Sequence, residues 1–309
     1  MASSRIAVYG AIASNLAIAV TKFGVAAVSG SSAMMSEAIH SLVDTGNGLL
    51  LLVGMRLSQK PATQEHPFGH GKELYFWSLI VAVLVFGLGG GASVYEGVVH
   101  ITDPHPIEDP FWSYATLAVA ALFEGTSFGI ALHQFSKERG SMPFWRALHI
   151  SKDPSVYTVL AEDSVALAGL AVAALGIFFS HRLEMPVLDG LASVVIGLLL
   201  AGVAILLIRE SRGLLIGEGL QRSSAQAIRR IALDHAAVRS VGAIRSMYVG
   251  ADQVLVTTTI EFNDHTITPD LERTIEEIEQ AVRQRYPQVT HMYIEARGEV
   301  GRPRGTTGH

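Results

Sequence analysis

Long apolar runs separated by short polar segments dominate the first two thirds of the chain. A helix that crosses a hydrocarbon core of ~30 Å needs roughly 20 mostly apolar residues. Six stretches meet that requirement, and polar segments such as S-G-S-S at 29–32 separate them. The pattern predicts six transmembrane helices, at about 5–29, 33–58, 72–99, 112–135, 155–180 and 186–208.

The pattern changes after Arg212. S-S-A-Q-A-I-R-R-I-A-L-D-H has helical periodicity, and V-G-A-I-R-S-M-Y-V and D-Q-V-L-V-T-T-T-I-E-F have the character of strands. A second helix and a third strand, H-M-Y-I-E-A, follow. The chain is therefore predicted to be an α-helical membrane protein with a C-terminal cytoplasmic α/β domain of order αββαβ. The expected boundaries are 1–210 for the membrane domain, 211–298 for the αββαβ domain and 299–309 for a disordered tail.

Composition supports a membrane protein. The hydrophobic fraction is 49%, only 17% of residues are charged, and the mean hydropathy is +0.35. A net charge of −5 argues against a nucleic-acid partner, and the absence of cysteine excludes a disulfide or a thiolate metal site.

Lysine and arginine near the helix ends predict the orientation. One side carries Arg56, Lys60, Arg209 and Arg212 among others, and the opposite side carries only Arg182. By the positive-inside rule, both termini are expected in the cytoplasm. We expect an integral protein of a bacterial inner (plasma) membrane.

Ionisable residues interrupt two of the apolar runs. In S-E-A-I-H-S-L-V-D-T-G, His40 and Asp44 are four residues apart and share one helix face. In the fifth run, L-A-E-D-S-V places Glu162 and Asp163 side by side, so that at most one of them points straight at a shared site. Such residues at membrane depth usually mark a pathway, and imidazole and carboxylate both bind divalent cations.

Other polar positions in the apolar runs are open to more than one interpretation. Glu124 is a candidate ligand, proton carrier or ligand-supporting residue. Lys22 is expected to extend toward the outer surface, and Glu37 to orient a partner near that end. Asn47 is expected to donate an interhelical hydrogen bond. The glycines of G-L-G-G-G at 87–91 are expected to permit close helix packing.

The loop between the second and third helices is the most distinctive segment. It contains H-P-F-G-H-G-K-E at 66–73, in which His66 and His70 are four residues apart. The two histidines are consistent with a surface metal site, with a proton-carrying entrance or with an ordinary polar loop.

This string resembles the cation diffusion facilitator family. S-E-A-I-H-S-L-V-D, the carboxylate in the fifth helix and the αββαβ domain are similar to the same family, over about residues 5 to 297. The L-A-E-D and H-S-L-V-D motifs resemble the branch that contains the SLC30 member nine transporters. The resemblance implies a homodimer in the lipid bilayer that exports zinc, or a similar divalent ion, from the cytoplasm in exchange for protons. No organic cofactor is expected.

The resemblance also implies a tetrahedral transport site built from two residue pairs, each spaced by four. The matching positions are His40 and Asp44 in the second helix and Val159 and Asp163 in the fifth. Because valine cannot bind metal, either three protein groups plus water suffice or Glu162 takes the vacant place, with Glu124 as a more distant substitute. The departure leaves Mn²⁺, Fe²⁺ and Co²⁺ open beside Zn²⁺.

Two further sites are implied only in part. His66 and His70 retain part of the family's loop metal site, because Thr63 stands where an acid is usual. Lys72 matches a lysine that pairs with an acid below the sixth helix, and Glu218 lies next to the matching position, Gly217. We therefore expect a Lys72–Glu218 ion pair at the dimer interface.

Two other function classes remain as alternatives. An intramembrane metalloenzyme would use a bound metal to activate water, but the sequence contains neither H-E-x-x-H nor a separate general base. A membrane-anchored scaffold would leave the buried charges unexplained. We therefore expect a transporter and not an enzyme.

Overall fold

The computed structural model describes residues 2–106, 110–139, 142–143 and 154–297. The predicted tail at 299–309 lies outside the described residues. The chain divides into two compact units, Met1–Leu57 with Glu73–Arg212, and Ser58–Lys72 with Gly213–His309. The loop of the H-P-F-G-H-G-K string thus belongs to the second unit.

Long apolar helices form the first unit. They are α1 Ala2–Ser29, α2 Ser32–Ser58, α3 Glu73–Thr102, α4 Pro110–Arg139, α5 Pro154–Arg182 and α6 Val187–Ile216. Among the described residues, α2 to α6 each contain a segment long and apolar enough to cross a membrane, and the part of α1 whose side chains are described, Asn15–Ser29, is also apolar. The protein is an integral membrane protein. The prediction of a helical membrane protein is confirmed.

Apolar side chains cover much of the outside of these helices. Val28, Tyr95 and Leu122 are each at least 70% exposed. Such a surface is costly in water but is the normal lipid-facing surface of a membrane bundle. Small residues and aliphatic side chains, among them Ala33, Val81, Ala173 and Ile196, fill the interior.

Glycines bring α3 and α6 into close contact. A Cβ on Gly97 would lie 2.6 Å from the Gly190 carbonyl oxygen, and a Cβ on Gly190 would lie 2.9 Å from that of Gly97. Gly90 and Gly197 face each other in the same way, with the added Cβ of Gly197 2.8 Å from the Gly90 carbonyl oxygen. The prediction that G-L-G-G-G permits close packing is therefore confirmed at Gly90. This stretch lies in a π-helical segment of α3, Val85–Gly91.

A buried carboxylate fixes the start of α2. Asp189 of α6 is fully buried and accepts hydrogen bonds from the backbone N–H of Ser32 at 2.6 Å and of Ala33 at 3.3 Å. The Ser31 and Ser32 hydroxyls donate to it at 2.8 and 3.2 Å. A carboxylate from another helix therefore satisfies N–H groups that have no partner within α2, and it complements the helix dipole.

Replacing Asp189 by alanine should destabilise the protein. The change would leave several buried donors without an acceptor, at a cost of about 2–4 kcal/mol. The measurement is the melting temperature in detergent, with Asp103→Ala as control because the Asp103 side chain is 81% exposed. Equal melting temperatures for the two variants would contradict this role of Asp189.

The second unit contains a mixed sheet and two helices. Its elements are α7 Arg222–Leu233, β1 Val238–Val241, β2 Arg245–Gly250, β3 Gln253–Phe262, α8 Thr268–Arg285 and β4 Val289–Arg297. β3 is central, with β4 parallel along one edge and β1 and β2 antiparallel to different parts of β3. Residues alternate between buried and partly exposed along β3, as expected for a strand with one covered face.

The predicted αββαβ order is wrong by one strand. The segment V-G-A-I-R-S-M-Y-V, predicted as one strand, contains the end of β1 and most of β2. The backbone between them leaves regular pairing at Gly242, whose N–H donates to the Thr259 carbonyl at 2.8 Å. A Cβ at this position would lie 3.2 Å from that carbonyl, so the glycine permits the close approach at the break.

Candidate functional site

Four carboxylates line one cavity within the membrane unit. The cavity has a volume of about 340 Å³ and receives Asp44 from α2, Glu124 from α4, and Glu162 and Asp163 from α5. Isolated carboxylates are expensive at membrane depth, and four of them in one cavity provide negative charge suited to a cation.

His40 lies beside the cavity acid of its own helix. Its Nε2 is 3.3 Å from Asp44 Oδ2, and the side chain is almost fully buried. Within the described part of the chain, neither ring nitrogen makes a hydrogen bond, and Asp44 Oδ1 also has no hydrogen-bond partner. The structure thus brings the two residues together, as the i, i+4 spacing predicts, and leaves both with free coordinating atoms.

Neighbouring side chains position the two acids of α5. The Asn47 Nδ2 donates to Glu162 Oε1 at 3.1 Å, and the Ser127 hydroxyl donates to Asp163 Oδ2 at 2.9 Å. Asn47 is three residues beyond Asp44 on α2, so α2 holds Glu162 on the face that carries His40 and Asp44. The prediction that Asn47 makes an interhelical hydrogen bond is confirmed.

Ser127 was not among the predicted site residues. It is three residues beyond Glu124, and that spacing on α4 was the available signal that it faces the same cavity.

The four predicted ligands do not form a closed metal site. Among the residues that the structure describes, no group of three or more His, Asp or Glu side chains is arranged to hold a metal ion. His40, Asp44, Glu162 and Asp163 therefore share a region without converging on one point. The side chain of Val159, at the vacant family position, lies outside the part of α5 whose side chains are described.

The loop histidines lie next to each other in the second unit. The ring centroids of His66 and His70 are 4.4 Å apart, and His70 Nδ1 is 3.1 Å from the Pro61 carbonyl oxygen. Between them, the Phe68 ring contacts His291 of β4 edge-on at 5.3 Å. The loop is therefore packed on the small domain, which its polar sequence does not indicate.

Gly71 makes that packing close. A Cβ on Gly71 would lie 2.7 Å from Gly250 Cα, at the end of β2.

The next residue, Lys72, lies close to the end of α6 and to β2. Its ammonium is 3.4 Å from the Leu215 carbonyl oxygen and 3.7 Å from Met247 Sδ. Glu218 is nearby, since its carbonyl accepts from the Tyr248 N–H at 2.9 Å. Burial, together with the Glu218 charge, raises the pKa of the Tyr248 phenol. The Lys72–Glu218 ion pair stays a prediction.

Lys22 is not at the surface, contrary to expectation. It is 1% exposed, and its ammonium is 3.0 Å from Glu37 Oε2 and 2.8 Å from the Ser41 hydroxyl. The snorkelling prediction is wrong because a buried acid on α2 offers the lysine a closer partner than the bilayer surface. Glu37 does orient a partner, as expected, and that partner is Lys22.

The family model that describes the cation efflux transmembrane domain matches residues 8–216. The chain belongs to the cation diffusion facilitator family. Relatives of this family include the proton-coupled zinc antiporter SLC30A9 of Xenopus laevis, which is 32% identical over 81% of this chain. Metal tolerance protein C4 of Arabidopsis thaliana is 31% identical over 88% of it. The similarity to SLC30A9 confirms the predicted branch of the family.

Coverage differs among these family members. The chain spans 46% of the Xenopus SLC30A9 protein and 60% of metal tolerance protein C4. It spans 72% of the magnetosome protein MamM of Paramagnetospirillum magneticum, to which it is 30% identical over 78% of its own length. The chain thus spans about half the length of the SLC30A9 relatives it matches.

Proposed function

We propose that the protein exports divalent metal cations, with Zn²⁺ as the first candidate, in exchange for protons by alternating access. The observation that carries this proposal is the single membrane cavity that receives Asp44, Glu124, Glu162 and Asp163. The relatives named as proton-coupled zinc antiporters support zinc as the ion and protons as the counter-ion. The metal is the transported substrate, and the proposal requires no organic cofactor.

His40, Asp44 and Asp163 are the proposed ligands, with Glu162 as the fourth. Glu162 is preferred to Glu124 because Asn47 holds it against the face of α2 that carries His40 and Asp44. Zinc accepts four ligands of imidazole and carboxylate type in tetrahedral geometry. Since the described side chains do not converge, the ion would draw them together on binding. This three-carboxylate set also suits Mn²⁺, Fe²⁺ or Co²⁺.

Protons and metal compete for the same atoms. Metal binding requires a neutral imidazole and ionised carboxylates, so that protonation of the site favours release. Histidine is the side chain that ordinarily changes charge between about pH 5 and 8, and His40 is therefore the proposed main proton carrier. Protons that enter from the outer side would displace the metal there. Their departure to the cytoplasm would return the ligands to the deprotonated form that binds metal.

The small domain and the loop before α3 are proposed to have roles in assembly and metal binding. The protein is proposed to act as a homodimer, with the small domain and a Lys72–Glu218 contact contributing to the interface. His66 and His70 are proposed as a loop metal site, since their rings are adjacent. The excess of Arg and Lys at one set of helix ends supports cytoplasmic termini, and a bacterial inner membrane is proposed as the location.

Uptake of radioactive zinc into proteoliposomes tests the proposal. Purified protein should accelerate zinc entry over protein-free vesicles, and unlabelled Zn²⁺, Mn²⁺, Fe²⁺ and Co²⁺ should each reduce that uptake according to the selectivity of the site. Absence of flux for zinc, and for Mn²⁺, Fe²⁺ and Co²⁺ when each is labelled in turn, would overturn the proposal. Family membership argues against the metalloenzyme alternative, and the same assay excludes a pure scaffold if flux is found.

A further inference from the structure

A buried ion pair lies beside the transport cavity. Among the lysines and arginines whose side chains the structure describes, only Lys22 is buried. Its partner Glu37 is 0% exposed, and the two charged atoms are 3.0 Å apart. Removing two charges from water is costly, and apolar pairs of similar volume often stabilise a protein as well or better. The pair is therefore poorly explained by stability alone.

The ammonium is the end of this pair that is hydrogen-bonded to a residue of the cavity wall. Lys22 Nζ also donates to the Ser41 hydroxyl at 2.8 Å, and Ser41 lines the cavity together with Asp44. By the rise of α2, the backbone of Ser41 is about 4.5 Å along the helix axis from the level of Asp44, and that of Glu37 is about 10.5 Å from it. The positive charge is thus one hydroxyl group from the cavity, and the negative charge lies farther along the helix.

The Glu37 carboxylate also contacts the helix that carries the other acids. A Cβ on Gly169 of α5 would lie 2.6 Å from Glu37 Oε1, so the carboxylate packs directly against α5 at this glycine. Gly169 is seven residues beyond Glu162, on the same face of α5. Glu37 Oε1 itself has no hydrogen-bond partner. The pair therefore touches α1, α2 and α5 at one end of the proposed site.

We propose that Lys22 is a positioning residue that limits the affinity of the transport cavity for cations, so that a bound metal ion can leave. This inference rests on the proposed function. The four carboxylates that line the cavity would hold a divalent ion tightly by their combined charge, and transport requires release as well as binding. A fixed positive charge on the cavity side of the pair opposes the bound cation, and the field of Glu37 offsets this repulsion only in part because it lies farther away.

The test is the paired variant K22Q/E37Q, which removes both charges and keeps side chains that can hydrogen-bond. In zinc flux assays it should show a KM about tenfold lower than the wild type, together with a lower kcat, because the repulsion from the ammonium exceeds the attraction from the more distant carboxylate and a low-dielectric site magnifies that difference. If the ion pair only stabilised the fold, the double variant would not have a lower KM than the wild type. The conservative variant K22R should restore a KM near the wild-type value.

Thr21→Ala and Glu37→Gln serve as control variants. Thr21→Ala changes the next residue of α1, which is exposed and bonds only to the Ala17 carbonyl, and it should leave KM unchanged. If K22Q/E37Q does not fold, Glu37→Gln alone should raise KM, because it leaves the ammonium without its counter-charge. An unchanged or opposite KM in the folded variant overturns the role of Lys22. Absence of flux in the wild type overturns the proposed function instead.

Discussion

Replacing Asp44 or Asp163 by asparagine is expected to abolish metal transport. Each side chain lines the membrane cavity, and each substitution removes a negative charge and a strong oxygen ligand with almost no change in shape. Loss of a residue that only supports a ligand costs roughly 10–100-fold in metal affinity, and loss of a ligand should cost more. The measurement is the initial rate of zinc flux in proteoliposomes at saturating and limiting zinc.

Asp264→Asn is the matched control. Its side chain is 71% exposed in the small domain, and it lies 3.9 Å from Arg239 at the surface. This variant should transport at the wild-type rate. Wild-type flux in Asp44→Asn and Asp163→Asn would show that the cavity acids do not bind the transported ion.

Substitutions of Glu162 and Glu124 distinguish these two candidates for the fourth ligand. Glu162→Gln should raise the KM for zinc by at least about tenfold, because even the loss of a residue that only supports a ligand costs roughly 10–100-fold in metal affinity. Glu124→Gln should have a smaller effect, since no described contact directs Glu124 toward α2. Both acids line the same cavity, so each serves as the control for the other. The reverse order would assign the fourth position to Glu124.

Val159 offers a complementary test in the Glu162→Gln background. Adding Val159→His supplies a ligand at the position that the family pattern uses, four residues before Asp163. Zinc transport should recover in the double variant, and selectivity should move from Mn²⁺ toward Zn²⁺, because imidazole suits zinc better than manganese. A double variant no more active than Glu162→Gln would mean that position 159 does not reach the site.

Local patterns were sufficient for much of the fold. Apolar runs of membrane length predicted the helices, and alternating burial in β3 follows directly from V-L-V-T-T-T-I-E-F. The i, i+4 spacing of His40 and Asp44 likewise predicted their proximity. Each of these features depends on residues within one element.

Features that depend on contacts between distant elements were missed. The burial of Lys22 depends on Glu37 fifteen residues away, and the start of α2 depends on Asp189 from α6. Neither spacing follows the period of a helix or strand, so periodicity carries no signal for them. The break between β1 and β2 depends on the approach of Gly242 to Thr259, which only the paired sheet shows.

Proton-coupled antiport can be measured by recording zinc and pH simultaneously inside proteoliposomes. With an imposed pH gradient and no zinc gradient, we expect zinc to move toward the acidic side while protons leave it. The fluxes should stop together in Asp44→Asn. Zinc flux that ignores the pH gradient, or proton movement that continues without zinc, would contradict proton-coupled antiport through this cavity.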